Sequence, residues 1–326
     1  MPRGRAAAVA RLEPGTAGPL TPVPAGRQTF PFIPRRRHLV GLPFGGITGQ
    51  RLGVGSDVIG SRPYQPGDPV SSIDWYASAR ISSALGRDEF IVRSSAADEA
   101  PRVVAVVDRR PGMGIYAPPL PWLSKPEAIV EATSAIALSA AASNSEIGSL
   151  DFGGGEPEWL PPATRDAASI VIDRQRHAPF DSPGLEDALA FLGTRRSQLP
   201  PGSFVFVLSD FLDGPSEDAW LSAGGYGWDL IPVVIQDPVW EQSFPAVGSV
   251  VVPIREAGSS RVLPLRLSGR EAAARRDANQ RRLAELERLF GSLDLDWVLL
   301  GTADPEAVDR AFGTWAEERR RWRRAG

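Results

Sequence analysis

The sequence predicts an α/β fold in which a mostly parallel sheet is covered by helices on both faces. Three observations point to it. Short, continuously apolar runs recur, such as RVVAVV from Arg102 and SFVFVL from Ser203, the pattern of strands buried on both sides. Helical patterns with one apolar face lie between those runs. The chain has 326 residues, 42% of them hydrophobic, enough for one large or two modest domains with a real core.

The elements follow in order. Residues 1–40 read as a disordered or extended N-terminal tail, rich in Ala, Gly, Pro and Arg without periodicity. Residues 41–100 read as a β-rich segment of short strands and turns. The α/β pattern occupies residues 101–326. It opens with the buried strand Arg102 to Val107. Ser124-Lys125-Pro126-Glu127 marks a helix start, with Ser as N-cap, proline in the first turn and Glu third. The helix continues through Ile129, Ala132, Ile136 and Ala140. A second strand runs from Ile147 to Phe152 and stops at Gly153-Gly154-Gly155. A helix covers Pro183 to Leu192, with Gly193 as its stop. Ser203 to Leu208 and Leu230 to Ile235 are the third and fourth buried strands. Val247 to Leu267 reads as a hairpin turning at Gly258-Ser259-Ser260. A long helix from Glu271 to Phe290, a last strand from Trp297 to Leu300 and a final helix from Glu306 complete the chain. No internal repeat is present.

The net charge is −3, which exerts no global pull toward nucleic acid or an anionic membrane. Arginine is concentrated locally, at Arg35-Arg36-Arg37 and at Arg319-Arg320-Arg321 with Arg323-Arg324. Lys125 is the single lysine, and the arginine bias reflects a GC-rich genome. There is no cysteine, which excludes disulfides, thiolate metal sites and cysteine nucleophiles. No run is long and apolar enough to span a membrane, and the basic N-terminus lacks the apolar segment of a secretory signal. A cytoplasmic location is expected.

In sheets of this kind, ligands sit at the carboxyl ends of the strands. Two predicted strands end there in carboxylates, Asp108 and Ser209-Asp210. They form either a pair of acids facing one crevice or simple caps of the following turns. A second motif precedes them. Tyr64-x-Pro66-Gly67-Asp68 leads into Ile73-Asp74-Trp75 and ends at Ala79-Arg80. Trp75 is expected to be a core plug, since large aromatics are usually well buried. Asp68 and Asp74 are expected to accept hydrogen bonds that hold the segment against the α/β domain, with Arg80 as a charged donor.

These residues resemble the domain of unknown function 58 family, bacterial von Willebrand A-like proteins commonly encoded beside MoxR-type AAA+ ATPases. The resemblance runs roughly from Gly41 to Arg320. The strand end at Asp108, the Leu208-Ser209-Asp210-Phe211 strand end, Asp237-Pro238 and the terminal helix with its arginines match as well. It implies a von Willebrand A-like fold and a protein partner, a MoxR-type AAA+ ATPase. Intact von Willebrand A domains carry a metal-ion-dependent adhesion site that begins Asp-x-Ser-x-Ser. Here those positions are Asp108-Arg109-Arg110-Pro111-Gly112, so both hydroxyls are lost. Magnesium requires a near-octahedral shell of oxygens, which two missing hydroxyls and a guanidinium oppose. The site is therefore expected to be a degenerate, metal-free version, with a guanidinium from Arg110 or Arg109 between Asp108 and Asp210. The family also places an arginine soon after the Pro-Gly-Asp turn, where this chain has Ser71-Ser72.

Other chemistries find no support. No glycine-rich loop precedes a lysine as a P-loop requires. His38 and His177 lack metal-ligand or triad spacing, and no G-x-S-x-G elbow occurs. The expected function is a non-enzymatic adaptor or chaperone-like interaction module without a cofactor. The alternatives are a magnesium-dependent hydrolase using Asp108 and Asp210, which lacks an accompanying base or nucleophile, and a nucleic-acid binder using the arginine-rich ends. The acidic balance and the absence of a binding motif oppose the latter. Nothing in the sequence sets the oligomeric state.

Overall fold

The computed structural model describes residues 26–34, 58–64, 73–87, 90–95, 101–114, 123–152, 157–164, 166–181, 184–246, 248, 250–255 and 261–325. The first elements form a small unit: β1 (Val58–Pro63), α1 (Trp75–Leu85) and β2 (Ile91–Ser95). β1 and β2 pair antiparallel, with Pro63 opposite Ile91. The helix was not expected in a segment read as β-rich. Asp74 starts it, accepting from the amides of Tyr76 and Ala77 at 3.1 and 3.0 Å, as an N-cap does. Gly86 ends it in the left-handed conformation, φ 64°, which glycine adopts without steric cost. Ser78 ties helix to strand, since its Oγ accepts from the Ile91 amide at 2.8 Å and donates to the Asp74 carbonyl at 2.7 Å.

The α/β body follows: β3 (Arg102–Val107), α2 (Lys125–Ala142), β4 (Glu146–Phe152), β5 (Pro157–Ala163), α3 (Ala167–His177), α4 (Leu185–Thr194), β6 (Phe204–Ser209), α5 (Glu217–Gly224) and β7 (Asp229–Ile235). After the antiparallel hairpin β8 (Val250–Arg255) and β9 (Val262–Leu267) come α6 (Gly269–Ser292), β10 (Val298–Leu300) and α7 (Pro305–Ala325). Six strands form one sheet in the order β10-β7-β6-β3-β4-β5. All neighbours are parallel except β5, which pairs antiparallel with β4 at one edge. At that edge Gly148 is required, because a Cβ there would sit 2.5 Å from the Leu160 carbonyl oxygen.

Alternation along β3 divides the core into two layers. Val103, Ala105 and Val107 pack with α2 and α7 residues such as Ile129, Ile136 and Phe312. Val104 and Val106 pack with Leu189, Leu192, Trp220 and Phe290 from α4, α5 and α6. The sequence pattern missed β5, α3 and α5, which are short and rich in proline or polar residues. The hairpin turn expected at residues 258–260 lies outside the described residues.

The N-terminal segment departs from the expected tail. Residues 26–34 form neither helix nor strand, yet they are built into the body. Phe30 stacks on Phe312 with ring centres 4.9 Å apart and meets Trp315 edge-on at 5.7 Å. Phe32 lies against Phe204 and Phe206. Arg27 grips Asp309 through Nε and Nη2 and also pairs with Glu131. Two aromatics and one arginine anchor the segment although its composition is that of a tail. The adhering part of the chain thus starts by Arg27, and the boundary drawn at residue 40 falls after it.

Phe30→Ala is expected to lower unfolding free energy by about 3–5 kcal/mol, the usual cost of emptying an aromatic site in a core. A denaturant midpoint shifted by no more than a surface substitution would produce, within about 0.5 kcal/mol, would return this segment to the status of a tail.

Candidate functional site

The order of strands creates the site. β3 has β4 on one side and β6, reached later in the chain, on the other. Their carboxyl ends therefore flank a topological switch point, where open α/β sheets hold their functional groups. β3 delivers Asp108 there and β6 delivers Ser209 and Asp210, all buried.

The guanidinium of Arg110 folds back onto Asp108. Nε lies 2.9 and 3.0 Å from the two carboxylate oxygens, and Nη2 is 2.6 Å from Oδ2. Nη2 also reaches Asp210 Oδ1 at 3.5 Å and Ser209 Oγ at 3.4 Å. Ser209 Oγ donates to Asp108 Oδ2 at 2.7 Å. Hydrogen bonding to Asp108, the largest influence, raises the Arg110 pKa further above its ordinary value despite burial. Arg110 Nη1 donates to the Asp213 carbonyl, and the Asp213 carboxylate, 97% exposed, stands 3.5 Å from it at the rim.

Arg109, the other candidate cation, turns away from the crevice. Its side chain is fully buried, bonded through Nε to Asp151 at 2.9 Å, and lies 4.8 Å from the Phe180 ring centre. Gln175 accepts from its Nη2.

A second cation escaped sequence reading. Lys125 Nζ, in the first turn of α2, lies 2.6 Å from Asp210 Oδ2 and 2.6 Å from Glu241 Oε1. Burial, the largest single influence, pulls the ammonium pKa down. Asp210 and Glu241 together outweigh it, and the pKa stands above the ordinary value. Burial pushes the Glu241 carboxyl up against the pull of Lys125. The set is completed by Gln236, whose Nε2 donates to the Asp210 carbonyl at 2.6 Å, and by Asp237. Asp237 accepts from the amides of Leu123, Val239 and Trp240 at 2.7, 2.8 and 3.0 Å. One signal pointed to Lys125: it is the only lysine among 36 basic residues. A compact ammonium with three rotatable donors fits between the two carboxylates here.

The result is a line of alternating charge, Asp108, Arg110, Asp210, Lys125 and Glu241. It does not fit a divalent cation. The carboxylate oxygens that would ligate one are engaged by nitrogen donors, and Ser209 donates its hydroxyl proton to Asp108. Among the described residues no group of three or more His, Cys, Asp or Glu side chains is arranged to hold a metal.

The signature segment lies elsewhere. Pro66, Gly67 and Asp68 are outside the described residues. The Tyr64 amide donates to the Phe90 carbonyl at 2.8 Å, and Ile73 is half-buried. Asp74 caps α1 from within the small unit. Trp75 corrects the expectation of a core plug: it is 61% exposed and meets Phe90 edge-on at 6.1 Å. The cap places Trp75 at the first helical position, and Ser78, not the indole, faces β2. Arg80 is also exposed and lies 6.0 Å from the centre of the Tyr76 ring.

Fold and crevice together define a von Willebrand A-like α/β protein whose metal-site position is filled by its own cations. Residues 60–284 match the family model described as "Protein of unknown function DUF58", and the chain belongs to that family. Uncharacterized proteins of Mycobacterium tuberculosis and Mycobacterium bovis are 26% identical to it over 249 residues, covering 76% of this chain and 75% of theirs. Among solved structures it is similar to BatB from Bacteroides thetaiotaomicron, at 13% identity and a TM-score of 0.39, over 67% of this chain and all of that one. An aerotolerance-related membrane protein from Bacteroides fragilis gives 15%, 0.40 and the same coverage. The SpRpn10 VWA domain gives 10% and 0.33, over 42% of this chain and 76% of that one. The expected cytoplasmic location is corrected by these findings, since a structure among them is described as a membrane protein. Lack of cysteine does not place a chain in the cytoplasm. Nor does the observation that no helix among the described residues is long and apolar enough to cross a membrane.

Two outcomes test the crevice. Lys125→Met leaves Asp210 and Glu241 facing each other without their cation, and should cost about 3–5 kcal/mol near neutral pH. Burial already raises the Glu241 carboxyl, and without the pull of Lys125 it binds its proton still more readily folded than unfolded, so the variant should recover stability as pH falls. In the unaltered protein the raised Lys125 pKa supplies stability below the ordinary lysine value, lost only as pH rises through the folded one. A loss in the variant that grows toward acid pH would refute the charge assignment. Calorimetric titration with magnesium or manganese should show no binding on the order of millimolar or tighter. Stoichiometric binding that disappears in Asp108→Ala would overturn the metal-free reading.

Proposed function

We propose that this protein is a non-enzymatic interaction module that works with a MoxR-type AAA+ ATPase in maturing or remodelling other proteins. One observation carries the reading: the crevice at the carboxyl edge of the sheet is closed by internal ion pairs. Asp108 and Asp210, the groups a hydrolytic mechanism would need as acid or base, are buried and paired with Arg110 and Lys125. A general base needs access to its substrate proton, and burial with pairing of this kind opposes it. What faces outward is a charged rim with an apolar neighbour, Asp213 and Leu212, suited to recognition. Family membership and the von Willebrand A-like fold support the same reading.

The test begins with the host's MoxR-type ATPase, purified and mixed with this protein at low salt. A complex is expected. Asp213→Arg reverses an exposed charge that stands 3.5 Å from Arg110 at the rim, and should weaken the complex about tenfold while altering its salt dependence; an unchanged melting temperature would show that the buried pairs are kept. No complex between the two would sink the ATPase assignment. A complex with unchanged affinity and salt dependence would move the contact surface away from this rim.

A further inference from the structure

Helix α7 outruns the body on which it packs. Its buried positions Val308, Phe312, Trp315 and Arg319 recur at steps of three and four, which places them on one stripe of the helix. The next step of that stripe is Trp322, and it is 74% exposed. Arg319 marks where the stripe leaves the protein. Its guanidinium is held by both oxygens of Asp229 at 2.7 and 2.9 Å, by Asp296 at 2.8 Å and by the Ile33 carbonyl at 3.0 Å. It also lies 4.4 Å from the centre of the Trp315 ring. One residue further on, that fixation ends. Arg320 and Arg321 are exposed, and among the described residues Arg321 pairs with Glu317, at 3.8 Å across one turn. The helix continues through Arg323 and Arg324 to Ala325.

The tip of α7 thus joins one exposed indole to four arginines of the same helical end. The whole chain carries −3, so the tip is a positive pole on an acidic body. We propose that this tip docks the protein on an anionic lipid surface, with Trp322 in the headgroup layer and the arginines on lipid phosphates. An indole has an apolar body and a polar edge, and resides preferentially at the boundary between hydrocarbon and water. Guanidinium forks match phosphate oxygens and are less strongly hydrated than ammonium groups.

A flat anionic surface suits a protruding tip better than a nucleic acid does. A polyanion would run from the tip onto the acidic body and be repelled there. Single-stranded nucleic acid is held by a basic groove with successive aromatics, whereas this helical end bears one, Trp322. Each arginine near an anionic bilayer contributes about fivefold in partitioning. The four together contribute on the order of several hundredfold, enough for reversible docking and far less than a spanning helix provides.

Sedimentation of the full-length protein with vesicles tests this. Phosphatidylcholine alone is compared with phosphatidylcholine containing about one-third phosphatidylglycerol. Binding to the anionic vesicles only is expected, weakening as salt is raised. Trp322→Ala should reduce it severalfold. Replacing Arg320, Arg321, Arg323 and Arg324 together by Gln should abolish it while leaving the melting temperature unchanged, since Arg320 and Arg321 are exposed. No binding to anionic vesicles at low salt would overturn the proposal. So would binding that survives the four-arginine replacement. Binding indifferent to Trp322→Ala and matched in affinity by duplex or single-stranded DNA would identify a general polyanion site instead of a lipid one.

Discussion

Two carboxyl groups buried at the ends of adjacent central strands need either a positive charge between them or a proton on one of them, and the arrangement of the site follows from that constraint. Arg110 meets it from the β3 side, in a two-pronged grip on Asp108 that extends to Asp210. Lys125 meets it from α2. Its place is otherwise unfavourable, since the amino end of a helix carries partial positive charge. The pairing with Asp210 and Glu241 offsets that penalty and holds α2 over the sheet's carboxyl edge. At the two hydroxyl positions of the metal-type motif this chain has Arg110, which brings its own charge, and Gly112. Within the described residues the charges of the crevice are balanced by its own side chains.

The same network reaches the far end of the molecule. Glu241 belongs to a turn whose carbonyls are held by α6: Arg282 donates to the Glu241 carbonyl at 2.9 Å, Asn279 to Trp240 at 3.0 Å and Arg276 to Phe244 at 2.9 Å. Phe244, with Leu267 and Ala272, forms a small apolar cluster beneath the β8–β9 hairpin, separate from the two main layers. The residue that neutralises Lys125 therefore also sits on the segment that seats the hairpin and α6. The amino-terminal segment performs a comparable joining role on the opposite layer. Arg27 links α2 to α7 through Glu131 and Asp309, and Phe30 and Phe32 fill the space between α7 and the sheet.

Much of this was legible in the sequence because the signals were local. Continuous apolar runs located β3, β6 and β7, and Ser124-Lys125-Pro126-Glu127 located the start of α2. The carboxylates at two strand ends, with Arg110 in place of a serine, indicated a crevice and the kind of group that occupies it. Side-chain identity and position along a strand determine those features, whatever the rest of the chain does. α1 was missed because its start depends on Asp74 acting as a cap, while the sequence around it reads equally as a turn. Trp75 was misplaced for the same reason: size alone favours burial, but the helix phase set by the cap turns it outward.

The sequence by itself determined the α/β class, the order of the main strands and the acidic strand ends. Each of these follows from periodicity or residue type within a few positions. Only the tertiary structure decided which arginine enters the crevice, that Lys125 and Glu241 join it, and that Phe30 belongs to the core. Those outcomes depend on residues distant in sequence: Lys125 meets Asp210 across 85 positions and Arg319 meets Ile33 across 286. Local pattern carries no record of such pairings. They arise when strand order brings the ends of β3 and β6 together and leaves buried charge to be neutralised by whatever cation the surrounding helices can supply.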